Sequence, residues 1–109
     1  MKKPSPGAVL SAFQQKVLSA LLLVPYGKVT TYGKIARSLG DPRLSRAVGN
    51  ALHFNPDGEK YPCYKVVSGK GKLSDNYAFG GKEAQKKRLE SEGIEVSEDG
   101  SVDLEKYGV

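Results

Sequence analysis

"GKVTTYGKIARSLGDPRLSRAVGNAL", Gly27 to Leu52, decides how the rest of the chain is read. A Pro-Tyr-Gly turn just before it leads into a β-branched run, Val29 to Thr31. Ile35, Ala36 and Leu39 then fall at helical spacing until Gly40 stops them. Asp41 suits a cap and Pro42 a first helical position. In the next segment Leu44, Val48, Ala51 and Leu52 share one face, which leaves Arg46, Gly49 and Asn50 to look elsewhere. Two short helices joined by a glycine-containing turn make a helix-turn-helix pattern.

Working outward toward the N-terminus, Leu10, Phe13, Val17, Leu21 and Val24 recur at steps of three and four, which predicts a helix ending before Pro25. Residues 1–9 mix Lys, Pro and Gly without periodicity and read as a flexible arm. On the other side, "NPDGEKYP" (Asn55 to Pro62) is turn chemistry, and "CYKVV" (Cys63 to Val67) reads as a short strand. Gly69, Gly71, Gly80 and Gly81 make the stretch from Ser68 to Gly81 a surface loop of the kind that often carries sites. "KEAQKKRLESEG" is a helix with Glu83–Lys87 and Lys86–Glu90 at four-residue spacing, closed by Gly93, and "IEVSEDGSVDL" reads as a hairpin about Asp99–Gly100. The predicted fold is therefore mainly α with short strands. It is a winged helix-turn-helix-like single domain, residues 10–109, with a small C-terminal hairpin.

A chain of 109 residues suits one domain with a modest core. One cysteine allows no internal disulfide and no multi-cysteine metal site, and the first residues lack a leader-like order. A reduced, cytoplasmic protein is expected, with no metal and no cofactor. The apolar run Ser19 to Val24 falls far short of the ~20 residues that span a bilayer, so no membrane partner is expected. Seventeen Lys and Arg against twelve Asp and Glu leave a formal charge of +5, which favours polyanionic partners. By itself, Cys63 reads as a small buried side chain.

In combination these segments resemble the DNA-binding and active-site domain of the O6-alkylguanine-DNA alkyltransferase family, including its alkyltransferase-like branch. The resemblance rests on "GKVTTYGKIA", "SRAVGNAL", the "NP" turn, "PC" followed by a basic residue and "VV", and a loop ending "GG", in that order from about Phe13 to Gly93. Members of that family flip the damaged base out of the duplex and transfer its alkyl group to a cysteine, once per protein molecule. The implied partner is double-stranded DNA containing O6-alkylguanine, bound by a monomer.

The resemblance assigns roles residue by residue. Cys63 would accept the alkyl group, Asn55 would orient it and Glu92 would end a proton relay. Tyr32 would push the target phosphate and bond the flipped guanine. Arg46 would enter the stack in place of the base, as a planar guanidinium can. Thr31, Ala47, Gly49, Asn50 and Lys65 fall with the DNA contacts, the small residues letting the helix approach the minor groove. Pro62, Val67, Tyr77 and Phe79 fall with the alkyl pocket. Three positions depart from the family, the mildest being Lys65 where arginine is usual. Tyr64 stands where a histidine passes the thiol proton to the glutamate, and a phenol with a pKa near ~10 is a poor base at neutral pH. Phe79 stands where a serine is usual. The one histidine, His53, is expected to face DNA or solvent.

Two readings follow. Either Cys63 is deprotonated without the histidine and the chain is a single-turnover alkyltransferase, or the thiol stays protonated and the chain is a non-enzymatic lesion sensor that brings other repair proteins to the damage. Retention of the cysteine favours the first, because the sensor branch usually replaces it. A regulator reading an operator through the major groove is a weaker third reading, since "RAVGNAL" offers few long polar side chains to base edges.

Overall fold

The structure is a computed structural model that describes residues 11–74, 77 and 79–109; the expected arm and Leu10 lie outside the described residues. Helix α1 runs Ala12–Leu21, with the Ser11 hydroxyl accepting the Gln14 N–H at 3.0 Å. Val17, Leu18 and Leu21 are its buried face. It ends earlier than the periodicity predicts. The residue before a proline is pushed out of the α region, and ahead of Pro25 the chain unwinds through tight turns, Leu22 N–H to Ser19 O and Val24 N–H to Leu21 O. Leu22 and Leu23 are left exposed.

Strand β1, Thr30–Thr31, leads directly into α2, Tyr32–Ser38, whose first turn is capped by the Thr31 hydroxyl. The Asp41 cap forms, but on a 3-10 turn, Pro42–Leu44, that delivers the chain into α3, Ser45–His53. Val48, Ala51 and Leu52 of α3 are buried as the spacing requires. The Gln14 amide of α1 bonds the Ala51 and Phe54 carbonyls at 3.2 and 3.1 Å, so it closes the C-terminal end of α3.

The "CYKVV" segment divides in two. Cys63–Lys65 form a 3-10 turn, with Lys65 N–H bonded to Pro62 O, and only Val66–Val67 are strand β2. β2 pairs in parallel with β1, Thr30 beside Val66 and Thr31 beside Val67. Helix α4 runs Gly81–Ser91, and a short α5 follows at Leu104–Tyr107. The turn at Asp99–Gly100 forms, with Ser97 N–H bonded to Ser101 O at 2.9 Å. Its second arm does not continue along the first but pairs with the glycine-rich loop, Leu73 N–H to Gly100 O and Val102 N–H to Gly71 O. A side chain at Gly71, which has φ +82°, would run into the Val102 carbonyl, so glycine is required at that crossing. The sheet rests on a core built from Val17, Leu18, Leu21, Val29, Ile35, Val48, Val66, Val67, Leu89 and Ile94.

No helix among the described residues is long and apolar enough to cross a membrane, and no group of acidic, His and Cys side chains among them could hold a metal ion.

Candidate functional site

A pocket of about 550 Å³ opens between α3 and the segment that follows it. Helix α3 supplies Ser45, Arg46, Gly49, Asn50, Leu52 and His53. Tyr32 comes from the start of α2, Cys63 from the 3-10 turn, Ser74 and Tyr77 from the glycine-rich loop and Gln85 from α4. Arg46 and Asn50 are exposed, while Cys63 and Tyr77 are buried. A long cation thus stands outside a cavity whose inner wall carries the thiol. The helix-turn-helix arranges this: three core residues turn one face of α3 inward, and the adjoining flank, which shares Leu52 with that face, is left for the pocket.

Asn55 is 6% exposed. Its amide donates to Tyr61 O at 2.8 Å and its oxygen accepts Asp57 N–H at 3.0 Å, folding the Asn55–Tyr61 turn that brings Cys63 back to α3. A hydrogen bond from Asn55 would favour the Cys63 thiolate. Burial nonetheless pushes the Cys63 thiol up; Asn55, the local backbone N–H and the charge of Arg88 oppose the shift without reversing it.

Tyr64 points away from the pocket. Its hydroxyl donates to Glu92 Oε2, and the Arg88 guanidinium covers its ring, 4.5 Å from the centroid. Burial, then the Glu92 carboxylate, push this phenol up to about 12. Glu92 Oε1 pairs with Lys65 Nζ at 2.9 Å, the two side chains being 7% and 5% exposed, and accepts Gly27 N–H at 2.8 Å. Lys65 Nζ also donates to Pro25 O at 2.8 Å. Burial alone would raise the Glu92 carboxyl, but its bonds from Tyr64, Gly27 and Lys65 outweigh that and hold it below the ordinary range. The carboxylate is thus fully engaged behind the thiol.

Several expected site residues sit elsewhere. Lys65, expected on the DNA face, is buried against Glu92, because that carboxylate needs a cation inside. Thr31 is buried and caps α2 rather than facing outward. Val67 is core, fixed there by its pairing with Thr31. Pro62 opens the turn that presents Cys63 and does not line the pocket. Phe79 lies over Gly58, edge-on to Tyr77 at 5.8 Å, and also stays out of the lining. Ala47 lines a neighbouring groove with Phe13 and Phe54 instead, and Asn50 borders both. His53, by contrast, does line the pocket, at the C-terminal end of α3, with its ring edge-on to Phe54.

Gln85, Ser74, Ser45 and Leu52 line the pocket without having been singled out from the sequence. For Gln85 a signal was present: it stands four residues before Leu89, on the stripe of α4 that turns inward.

Residues 12–94 match the family described as 6-O-methylguanine DNA methyltransferase, DNA binding domain. A DNA base-flipping protein of Vibrio parahaemolyticus is 41% identical over 100 residues, which are 90% of this chain and 96% of that protein. A methylated-DNA--protein-cysteine methyltransferase of Methanosarcina acetivorans is 47% identical over 68 residues, 62% of this chain and 43% of that protein. Among solved structures, that of Schizosaccharomyces pombe Atl1 in complex with damaged DNA containing O6-carboxymethylguanine superposes with a TM-score of 0.76 at 38% identity, covering 87% of this chain and 92% of that one.

Proposed function

Because the chain belongs to the family of the 6-O-methylguanine DNA methyltransferase DNA-binding domain, we propose that it binds duplex DNA through α3, turns O6-alkylguanine out of the stack into the pocket beside Cys63, and holds it there without taking the alkyl group. A base inside a duplex cannot present its O6 substituent to a buried side chain, so flipping is the step that gives the pocket a purpose. Arg46, exposed at the mouth, fills the gap left in the stack. Gly49 and Ala47 keep α3 slim enough for a minor groove. Tyr32 and Tyr77 flank the base inside the pocket, and the partner is double-stranded DNA carrying the lesion.

The observation that carries this reading is the direction of the bond between Tyr64 and Glu92. Transfer requires Sγ to form a bond to the alkyl carbon as the O6–carbon bond breaks, with the electron pair staying on guanine. The thiol proton must leave for that to happen. Here Tyr64 donates to Glu92 and has a raised pKa, and Glu92 is already paired with Lys65. No step of that chain draws a proton from Cys63. Intact-protein mass spectrometry after incubation with a duplex containing O6-methylguanine tests it. Unmodified protein that binds this duplex in preference to an undamaged one is the expected result, and a methyl group on the peptide carrying Cys63 would overturn it.

One observation favours the transferring alternative: the thiol lies in the pocket wall, where a flipped base would meet it. Tyr64→His puts an imidazole beside Glu92, at the position where the family's proton relay carries one. If the remaining site is competent, methylation of Cys63 should rise by about two orders of magnitude, the usual contribution of a positioned base. An unchanged rate would show that the thiol is idle for reasons other than Tyr64.

A further inference from the structure

Gln85 is 1% exposed in a helix that is otherwise strongly charged. Its amide reaches in three directions. Nε2 donates to the carbonyls of Tyr64 and Val66, both at 3.0 Å, and Oε1 accepts the Ser74 N–H at 2.9 Å. The two donors are therefore spent on backbone either side of Lys65, in the segment that carries the thiol. The acceptor is spent on the glycine-rich loop. Only a primary amide can do both: a carboxylate cannot donate, an ammonium cannot accept, and an aliphatic side chain does neither while stranding two buried carbonyls.

Ser74 in turn sets the wall beyond it. Tyr77 N–H returns to Ser74 O at 3.4 Å and Gly81 N–H to Tyr77 O at 3.0 Å, so Ser74 and Gly81 together tether Tyr77 from either side. Cys63, Ser74, Tyr77 and Gln85 all line the pocket.

We propose that Gln85 is a positioning residue that holds the wall carrying Ser74 and Tyr77 at a fixed distance from the Cys63 segment, and so sets how sharply the pocket separates O6-alkylguanine from guanine. This rests on the base-binding reading above. A wall free to move accepts the smaller base as readily as the larger, whereas a fixed one is matched to one of them.

The test compares wild type, Gln85→Met, Ser74→Pro and the double variant for binding to duplexes with and without O6-methylguanine. Amide hydrogen exchange of the DNA-free proteins is read alongside. Gln85→Met should lower lesion preference about tenfold, the scale of one hydrogen bond, leave affinity for undamaged duplex within about twofold, and speed exchange around Ser74. Ser74→Pro removes the same bond from the loop side, so it should give the same fall, with the double variant falling no further. Unchanged preference in either single variant, or equal losses on both duplexes, would overturn the role. If Gln85→Met does not fold, Ser74→Pro decides alone. A wild type without lesion preference would sink the functional reading and this role with it, while exchange at Ser74 would still report whether the tie exists.

Discussion

At Glu92 the two carboxylate oxygens do different work. Oε1 faces the Lys65 ammonium and the Gly27 N–H, and Oε2 takes the Tyr64 hydroxyl. Lys65 is also tied to Pro25 O, so one buried ion pair joins the thiol turn, the end of α4 and the turn before β1. Removing one partner of such a pair leaves an uncompensated charge inside, which costs about 3–5 kcal/mol. Glu92→Gln keeps the shape and loses the charge, and should destabilise the fold by about 3 kcal/mol at pH 7 on that scale. The pH dependence gives the prediction its sign. The native Glu92 carboxyl is held below its ordinary value, so its stabilisation is fully present above the unfolded value of about 4.3 and fades as pH falls through the lowered native one. Denaturant titrations from pH 7 down to pH 3 should therefore find the gap between wild type and Glu92→Gln closing in acid. A gap that stays constant would mean the pair contributes packing and no charge interaction.

Helix α3 shows how an element can be shaped by what it must meet. Gly49 lies in its middle, and a methyl group added there would come no closer to a neighbouring side chain than the Tyr32 ring at 4.0 Å, an ordinary contact. Interior helical glycine costs about 1 kcal/mol relative to alanine, so folding gives no reason for it. Gly49→Ala should raise stability by roughly that amount in thermal or denaturant unfolding, and Gly49→Leu should weaken DNA binding at least tenfold if the helix backbone enters a narrow groove, a loss equivalent to ~1.4 kcal/mol. Gly49→Leu with unaltered DNA affinity would remove this face of α3 from the interface. The helix itself was legible in the sequence because its apolar residues repeat at helical spacing and Gly40, Asp41 and Pro42 mark the turn before it. The 3-10 turn at Cys63–Lys65 was not, because apolar and β-branched residues in so short a run fit a strand equally well. Nor was the burial of Lys65: its partner Glu92 is distant in sequence, and a lysine close after a cysteine carries no sign of which way it will point. Gln85 stands on a legible inward stripe, but its partners were hidden for a related reason, since all three are backbone groups, which any sequence supplies.

Across the whole molecule the formal charge of +5 sets a general attraction for DNA, while discrimination must come from single side chains at the pocket. These two contributions separate in salt. Each phosphate neutralised by Lys or Arg releases counterions, and the slope of log affinity against log salt falls by about 0.9 when one such contact is lost. Arg46 stands exposed at the mouth of the pocket on α3. If its guanidinium occupies the space of the flipped base, it stacks and bonds to base edges without neutralising a phosphate. Arg46→Ala should then weaken binding to a lesion duplex by about 1–3 kcal/mol, weaken undamaged duplex much less, and leave the salt slope unchanged. A phosphate contact would instead lower both affinities together and shallow the slope by about one unit. Measuring affinity for both duplexes at several salt concentrations distinguishes these outcomes. Equal losses with a shallower slope would return Arg46 to the general charge of the surface, and the pocket would then need another residue to hold the stack open.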